Sequence, residues 1–136
     1  MGVPQGVSAG AADMVNFHAR ETVPERFRGR LLYQHHPSVT LMRTTLAENI
    51  RIGEDIRGKL AIKKSPTVIL LPLQGVSAID RAGQAFNDPR QALFKAIHRT
   101  WGGTEAVEMD LHINDPAFAE AAARRLLTLI GSSGRS

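Results

Sequence analysis

"TVILLPL", residues 67–73, decides the fold. It is almost purely apolar, lies between Pro66 and Gly75, is too short for a buried helix and has no polar face. Such a run suits a strand covered on both faces, as in a parallel sheet packed between helices. Downstream comes the loop "QGVSAIDRAGQAFN" (74–87), and then Asp88, Pro89 and Gln91 supply an N-cap, a proline at the first helical position and a capping-box partner. This predicts a helix over "RQALFKAIHRTW" (90–101), ended by Gly102 and Gly103. "AVEMDLHI" (106–113) alternates as another strand. Asp115 and Pro116 open a last helix, "AFAEAAARRLLTLI" (117–130), with Phe118, Ala122, Leu126, Leu129 and Ile130 on its buried side.

Upstream of the central run, "VTLMR" (39–43) alternates in the β-favouring manner and leads into "TTLAEN" (44–49), where Thr45 and Glu48 have capping-box spacing. Ile52, Ile56 and Leu60 recur at helical intervals, with Leu46 and Ile50 widening the stripe, and "AIKKSP" (61–66) ends the helix because a residue before proline avoids the α region. Strand, capped start and helix thus occur three times in succession. Right-handed crossovers would set all three helix N-termini beyond the carboxyl ends of parallel strands, and Asn-Asp-Pro at 87–89 and 114–116 marks two of these junctions. The expected fold is α/β, a three-layer Rossmann-like sandwich with a mainly parallel sheet of four or five strands. A single domain is expected over residues 1–130, with "GSSGRS" (131–136) as a flexible tail. In the less patterned N-terminal part, "GVPQGVSAG" (2–10) reads as a short strand, "ADMVNF" (12–17) as a turn of helix or a loop, and "RLLYQHHP" (30–37) as another strand.

A chain of 136 residues, 43% hydrophobic, can bury a continuous core without disulfides. It contains no cysteine, which excludes thiolate zinc sites and cysteine nucleophiles. With no charged leader followed by an apolar segment, and no apolar stretch near the ~20 residues that cross a bilayer, a cytoplasmic protein without membrane contact is the expectation. Net charge is +4. Part of the excess is local, since Arg20, Arg26, Arg28 and Arg30 fall close together, either as a solvated face or as a contact for phosphate or a protein partner. Aromatic content of 5% leaves little to stack bases on, so nucleic acid is a disfavoured partner.

Three junctions could carry chemistry. At "MRTT" (42–45), Arg43 at a strand end precedes the hydroxyls of Thr44 and Thr45 at a helix start, a grip for phosphate or carboxylate, or else a plain cap. In "QGVSAID" (74–80), Gly75 permits close backbone approach, Ser77 can hydrogen-bond a ligand and Asp80 can hold a hydroxyl or a metal-bound water. The segment has neither a Walker A ending nor a nucleophile elbow. In "DLHIND" (110–115), His112 stands at a strand's carboxyl end, where it could move protons or serve as a structural histidine. Histidine spacing offers no metal site.

"DMVNF", "VPERFRGR", "VTLMRTT", "GVSAID" and "HINDPAFA", in that order, give the chain more than local chemistry. Across residues 3–125 it resembles the C-terminal half of the Tm-one-like ATP-binding family, which takes in a tomato mosaic virus resistance protein and bacterial relatives. The resemblance implies two Rossmann-like halves and nucleotide binding, with the cofactor left open and ATP with magnesium as its candidate, and it sets the family's recurrent polar positions at Asn16, Arg43, Thr44, Thr45, Glu48, Asn49, Gly75, Ser77, Asp80, His112, Asn114 and Asp115. The chain departs from the pattern at His18, His36 and Gln74, where glycine, asparagine and glycine are expected. It also corresponds to one half only, so a homo-oligomer or a partner chain is expected to supply the other wall of a cleft.

These readings converge on a small-molecule-binding domain that holds a phosphorylated, nucleotide or carboxylate ligand at the strand carboxyl edge. Asn16, Arg43, Thr44, Thr45, Gly75, Ser77, Asp80, Asn114 and Asp115 are the expected binding residues. His112 and Glu48 are the candidates for acid/base work should a reaction occur. The alternative is a non-catalytic interaction module that uses the arginine-rich segment 20–30, with RNA as a further candidate partner.

Overall fold

The computed structural model describes residues 2–62, 64–87, 90–98 and 104–133. In chain order the elements are β1 (Gln5–Ser8), β2 (Met14–Phe17), β3 (Leu32–His36), β4 (Val39–Arg43), α1 (Leu46–Ala61), β5 (Thr67–Pro72), α2 (Arg90–His98), β6 (Glu105–Met109) and α3 (Pro116–Ser133). Single helical turns at Arg20–Thr22 and Glu25–Phe27 carry the connection from β2 to β3.

The strands form two sheets. In the first, β1, β5 and β6 run parallel with β5 in the middle. All six residues of β5 are buried, and strand alternation divides them. Ile69 and Leu71 meet Leu93, Phe94 and Ile97 of α2 and Ile52, Ile56 and Leu60 of α1, whereas Val68 and Leu70 meet Phe118, Ala122 and Leu129 of α3. Helices therefore cover both faces, which is why the run is apolar throughout. Each such side chain contributes about 1.5–3 kcal/mol by leaving water, so this strand anchors the core.

The second sheet, ordered β2-β4-β3, is antiparallel. It overturns the expected single, mainly parallel sheet of four or five strands. "VTLMR" is a strand as expected, but it pairs with β2 and β3 and not with β5. Only Pro37 and Ser38 separate β3 from β4, and two residues can close a hairpin but cannot make the crossover of a dozen or more that parallel pairing needs. The parallel neighbours of β5 are β1 and β6. "ADMVNF" is corrected as well, since Met14–Phe17 is a strand held by its partner β4.

The helix starts fare better. Thr45 caps α1, its hydroxyl receiving the Glu48 amide while the Glu48 carboxylate receives the Thr45 amide. α3 begins at Pro116 but runs to Ser133, beyond the expected end at 130, and Ile130 is half exposed where a buried position was expected. Leu46 is exposed too. Strand β6 ends at Met109, short of the expected end at 113, and residues 110–115 form a loop. The cap expected of Asp88 and Pro89 and the stop at Gly102 and Gly103 lie outside the described residues.

The loop 73–87 joins the two sheets. Val76 enters the core under the parallel sheet, whereas Ile79 and Phe86 pack with Leu41, Met14 and Tyr33 of the antiparallel one. Ser77 and Asp80 are consequently buried where the two sheets meet.

Candidate functional site

The loops leaving β1, β5 and β6 at their carboxyl ends are bonded side by side. Ala11 N–H donates to the Val76 carbonyl at 2.8 Å, Gln74 N–H to that of Leu111 at 3.1 Å, and Ile113 N–H to that of Gly75 at 3.0 Å. The end of β4 joins them, because Thr44 N–H and Arg43 Nη1 both donate to the Asp13 carbonyl, at 2.9 and 3.1 Å. The α1 N-terminus thus lies beside the end of β1, although β4, which leads into α1, belongs to the antiparallel sheet and not to the parallel one as expected.

A polar cluster lies beneath these loops. Asp13 is 1% exposed, and its Oδ2 accepts from the Ser77 hydroxyl at 2.6 Å. Its Oδ1 is buried with no partner among the described residues. Burial pushes the Asp13 carboxyl above the ordinary carboxylate value, opposed by the Ser77 hydrogen bond, by Asp13's own backbone amide and by the nearby Arg43 charge, and assisted weakly by Asp80. Arg43, also buried, is the cation of the cluster and sits 5.8 Å from the centre of the Phe86 ring. The Thr44 hydroxyl donates to the Ala12 carbonyl and receives Asn49 Nδ2 at 3.2 Å. Asp80 is fully buried and accepts from the Val76 amide at 3.0 Å.

His112 closes the cluster on the β6 side. The Asn114 amide can only donate, so His112 Nδ1 accepts at 3.1 Å, which leaves Nε2 to carry the proton toward the Ser77 carbonyl at 2.9 Å. Both ring nitrogens are thus committed to backbone, and the ring fastens the β6 loop to the β5 loop. Asp115 Oδ2 receives the His112 amide at 2.8 Å and its Oδ1 faces Arg81 at 3.3 Å. Gly75 has φ 142°, and a Cβ there would collide with the Asp80 carbonyl and the His112 ring, so this glycine is required by loop closure itself. Gln74, standing where the resemblance leads one to expect a second glycine, reaches across to Asp110.

Of the expected residues, Arg43, Thr44, Gly75, Ser77, Asp80, His112 and Asp115 come together here. Asn16 lies exposed on β2. Thr45 and Glu48 form the helix cap, and Glu48 also pairs with Arg30 at 2.6 Å, which holds its carboxyl below the ordinary range and makes it a weak proton carrier near neutrality. Asn114 is exposed and reaches the cluster through its amide. Asp13 was not singled out by the sequence. Its one signal was that it opens the "DMVNF" motif. Among the described residues, no three His, Asp or Glu side chains converge as metal ligands would.

Comparisons with known proteins place this geometry in a family. The family model described as the C-terminal domain of the uncharacterised protein family UPF0261 matches residues 1–130. A UPF0261 protein of Clostridium tetani is 48% identical over 134 residues, covering 96% of this chain and 33% of that protein. One from Rhizobium meliloti is 52% identical over 125 residues, covering 88% of this chain and 31% of its own. The ToMV resistance protein Tm-1 of Solanum lycopersicum is 36% identical over 132 residues, covering 93% of this chain and 18% of that protein. The chain therefore spans about a third of the length of these bacterial relatives. Matched over nearly its whole length by that C-terminal domain, the chain belongs to the UPF0261 family.

Proposed function

We propose that this domain binds a small anionic ligand, phosphorylated or carboxylated and with nucleotides included, at the carboxyl edge of its parallel sheet. The observation that carries the reading is the convergence of four chain segments, the ends of β1, β4, β5 and β6, on one buried cluster that contains Arg43, Asp13 and Ser77. Folding gains little from ordering charged groups in its interior, since each must shed water, whereas a binding site needs them held rigidly. The open edge of an α/β sheet is also where ligands are commonly received. With a chain about a third as long as its bacterial relatives, we take this edge as one wall of the site, the other coming from further chain, a second copy or a partner.

ATP with magnesium, implied by the resemblance, fits these residues poorly. A triphosphate would rely on one buried arginine beside two buried carboxylates, Asp13 and Asp80, and the glycine of the β5 loop is occupied by its own turn. A singly phosphorylated or carboxylated compound suits the cluster better.

Thermal unfolding of the chain against inorganic phosphate, sugar phosphates, nucleoside monophosphates and oxo-acids tests the reading. A ligand at a hundredfold excess over Kd should stabilise by about 2.7 kcal/mol, or about 10 °C in Tm. Arg43→Lys keeps the charge but loses the planar fork, and should cut the ligand-induced shift to less than half. A panel with no shift, or a shift equal in Arg43→Lys, would refute the assignment.

A second reading draws on the arginine-rich segment. Arg20 and Arg28, with Glu21 and Leu32, line a surface depression next to the exposed Leu31, a composition that suits an acidic protein partner. Arg30 is engaged elsewhere, by Glu48 and the Arg43 carbonyl. Charge reversal at Arg20 and Arg28 would abolish partner binding under this reading and leave the small-molecule shift intact.

A further inference from the structure

We infer that the ligand of this edge carries a hydroxyl group next to its anionic group, a hydroxy acid or a sugar phosphate, and that Asp13 Oδ1 receives that hydroxyl. The inference rests on the binding reading above and narrows it. Asp13 is 1% exposed, and the two oxygens of its carboxylate are treated differently by the fold. Oδ2 accepts the Ser77 hydroxyl, whereas Oδ1 has no donor from any other described residue. A buried acceptor without a donor is costly, and most so when it belongs to a group able to carry charge.

A second orphan acceptor lies close by. Asn49 is fully buried, spends Nδ2 on Thr44 and Thr45, and leaves Oδ1 without a donor among the described residues. Asn49 and Asp13 are tied to one knot through Thr44, whose hydroxyl donates to Ala12 and whose amide donates to Asp13. Such a cluster, with two orphan acceptors beside the buried Arg43, is complemented by a molecule that presents an anion and hydroxyl donors together. An anion alone would sit beside Asp13 with nothing to offer it. Hydrogen bonds to an ionised acceptor are the strong ones, and a site built to receive a substrate hydroxyl discriminates against the analogue that lacks it.

Two ligand pairs differing by hydroxyls test this, malate against succinate and glycerol 3-phosphate against propyl phosphate, with affinities measured by titration calorimetry on the wild-type chain and on Asp13→Asn. We expect the hydroxylated member of at least one pair to bind about tenfold or more tightly in the wild type. In Asp13→Asn, Ser77 holds the amide oxygen and the NH2 replaces Oδ1, so the preference should fall to about threefold or less while the deoxy anion keeps its affinity. Equal affinities within both pairs, or a preference undiminished by Asp13→Asn, would overturn the hydroxyl assignment and leave the anion site standing. Failure of all four compounds to bind would remove the anion reading and this inference with it. The wild-type comparison needs no variant, so an Asp13→Asn chain that fails to fold still leaves the assignment refutable.

Discussion

Asp13 occupies a setting that carboxylates avoid, and this has a consequence for stability as well as for binding. With its folded pKa raised above 3.8, chiefly by burial, the folded state holds the Asp13 proton more tightly than the unfolded state does. Stability contributed at this residue is therefore greatest at low pH and declines as pH rises from the unfolded value through the folded one. Glu48 acts in the opposite sense, since the Arg30 contact lowers its pKa, and its contribution is present above the ordinary value and lost as pH falls through the folded one. Comparing Asp13→Asn with the wild type cancels Glu48. Urea unfolding of the two between about pH 4 and pH 7 should move the difference steadily in favour of the variant as pH rises. A variant that loses ground with rising pH would contradict the assignment of burial as the dominant effect. At this scale the sequence was partly legible. Arg43, Ser77 and Asp80 could be picked out because the first ends a strand and the others follow one, but a lone aspartate after "SAGAA" reads as surface loop, and its hydroxyl partner lies 64 residues further on. His112 was legible as a residue of the edge. Its role depended on two backbone partners that periodicity does not reveal.

Among the elements, α1 and α2 pack closely enough that one glycine decides their distance. A Cβ on Gly53 would fall 2.6 Å from the Ala96 Cβ and 2.7 Å from the Leu93 carbonyl oxygen, whereas one on Gly58, in the same helix, would meet nothing within 4 Å. Gly53→Ala must push the helices apart, at a cost of about 1–3 kcal/mol. Gly58→Ala should stabilise by about 0.5–1 kcal/mol through helix propensity alone. Urea midpoints that move in opposite directions for the two variants are the expected result, and a common direction would refute the close approach. Helix starts were readable because a cap is a local device, complete within Thr45–Glu48. Strand partners were not. "VTLMR" announced a strand, but whether it joined β5 or β3 depended on the two-residue connection at Pro37 and Ser38, and the strand character of Met14–Phe17 comes from pairing with residues more than twenty positions away.

At the scale of the whole molecule, a parallel sheet with helices on both faces and a small antiparallel sheet share the loop 73–87, and the polar cluster lies where that loop passes between them. Among the described residues no helix is long and apolar enough to cross a membrane. The two ends of the parallel sheet differ in chemistry. Its carboxyl end gathers Asp13, Arg43, Ser77, Asp80 and His112, whereas exposed apolar residues, Val3 and Ile62, flank the start of β1 and the end of α1. The central claim is that ligand binds at the carboxyl end, and backbone amide chemical shifts on a labelled chain titrated with glycerol 3-phosphate and malate test it most directly. Perturbations should concentrate in residues 9–13, 43–45, 74–80 and 111–115 and spare residues 2–5 and 64–66 at the opposite end. Perturbations confined to the arginine-rich segment 20–30, or spread without relation to the edge, would contradict it.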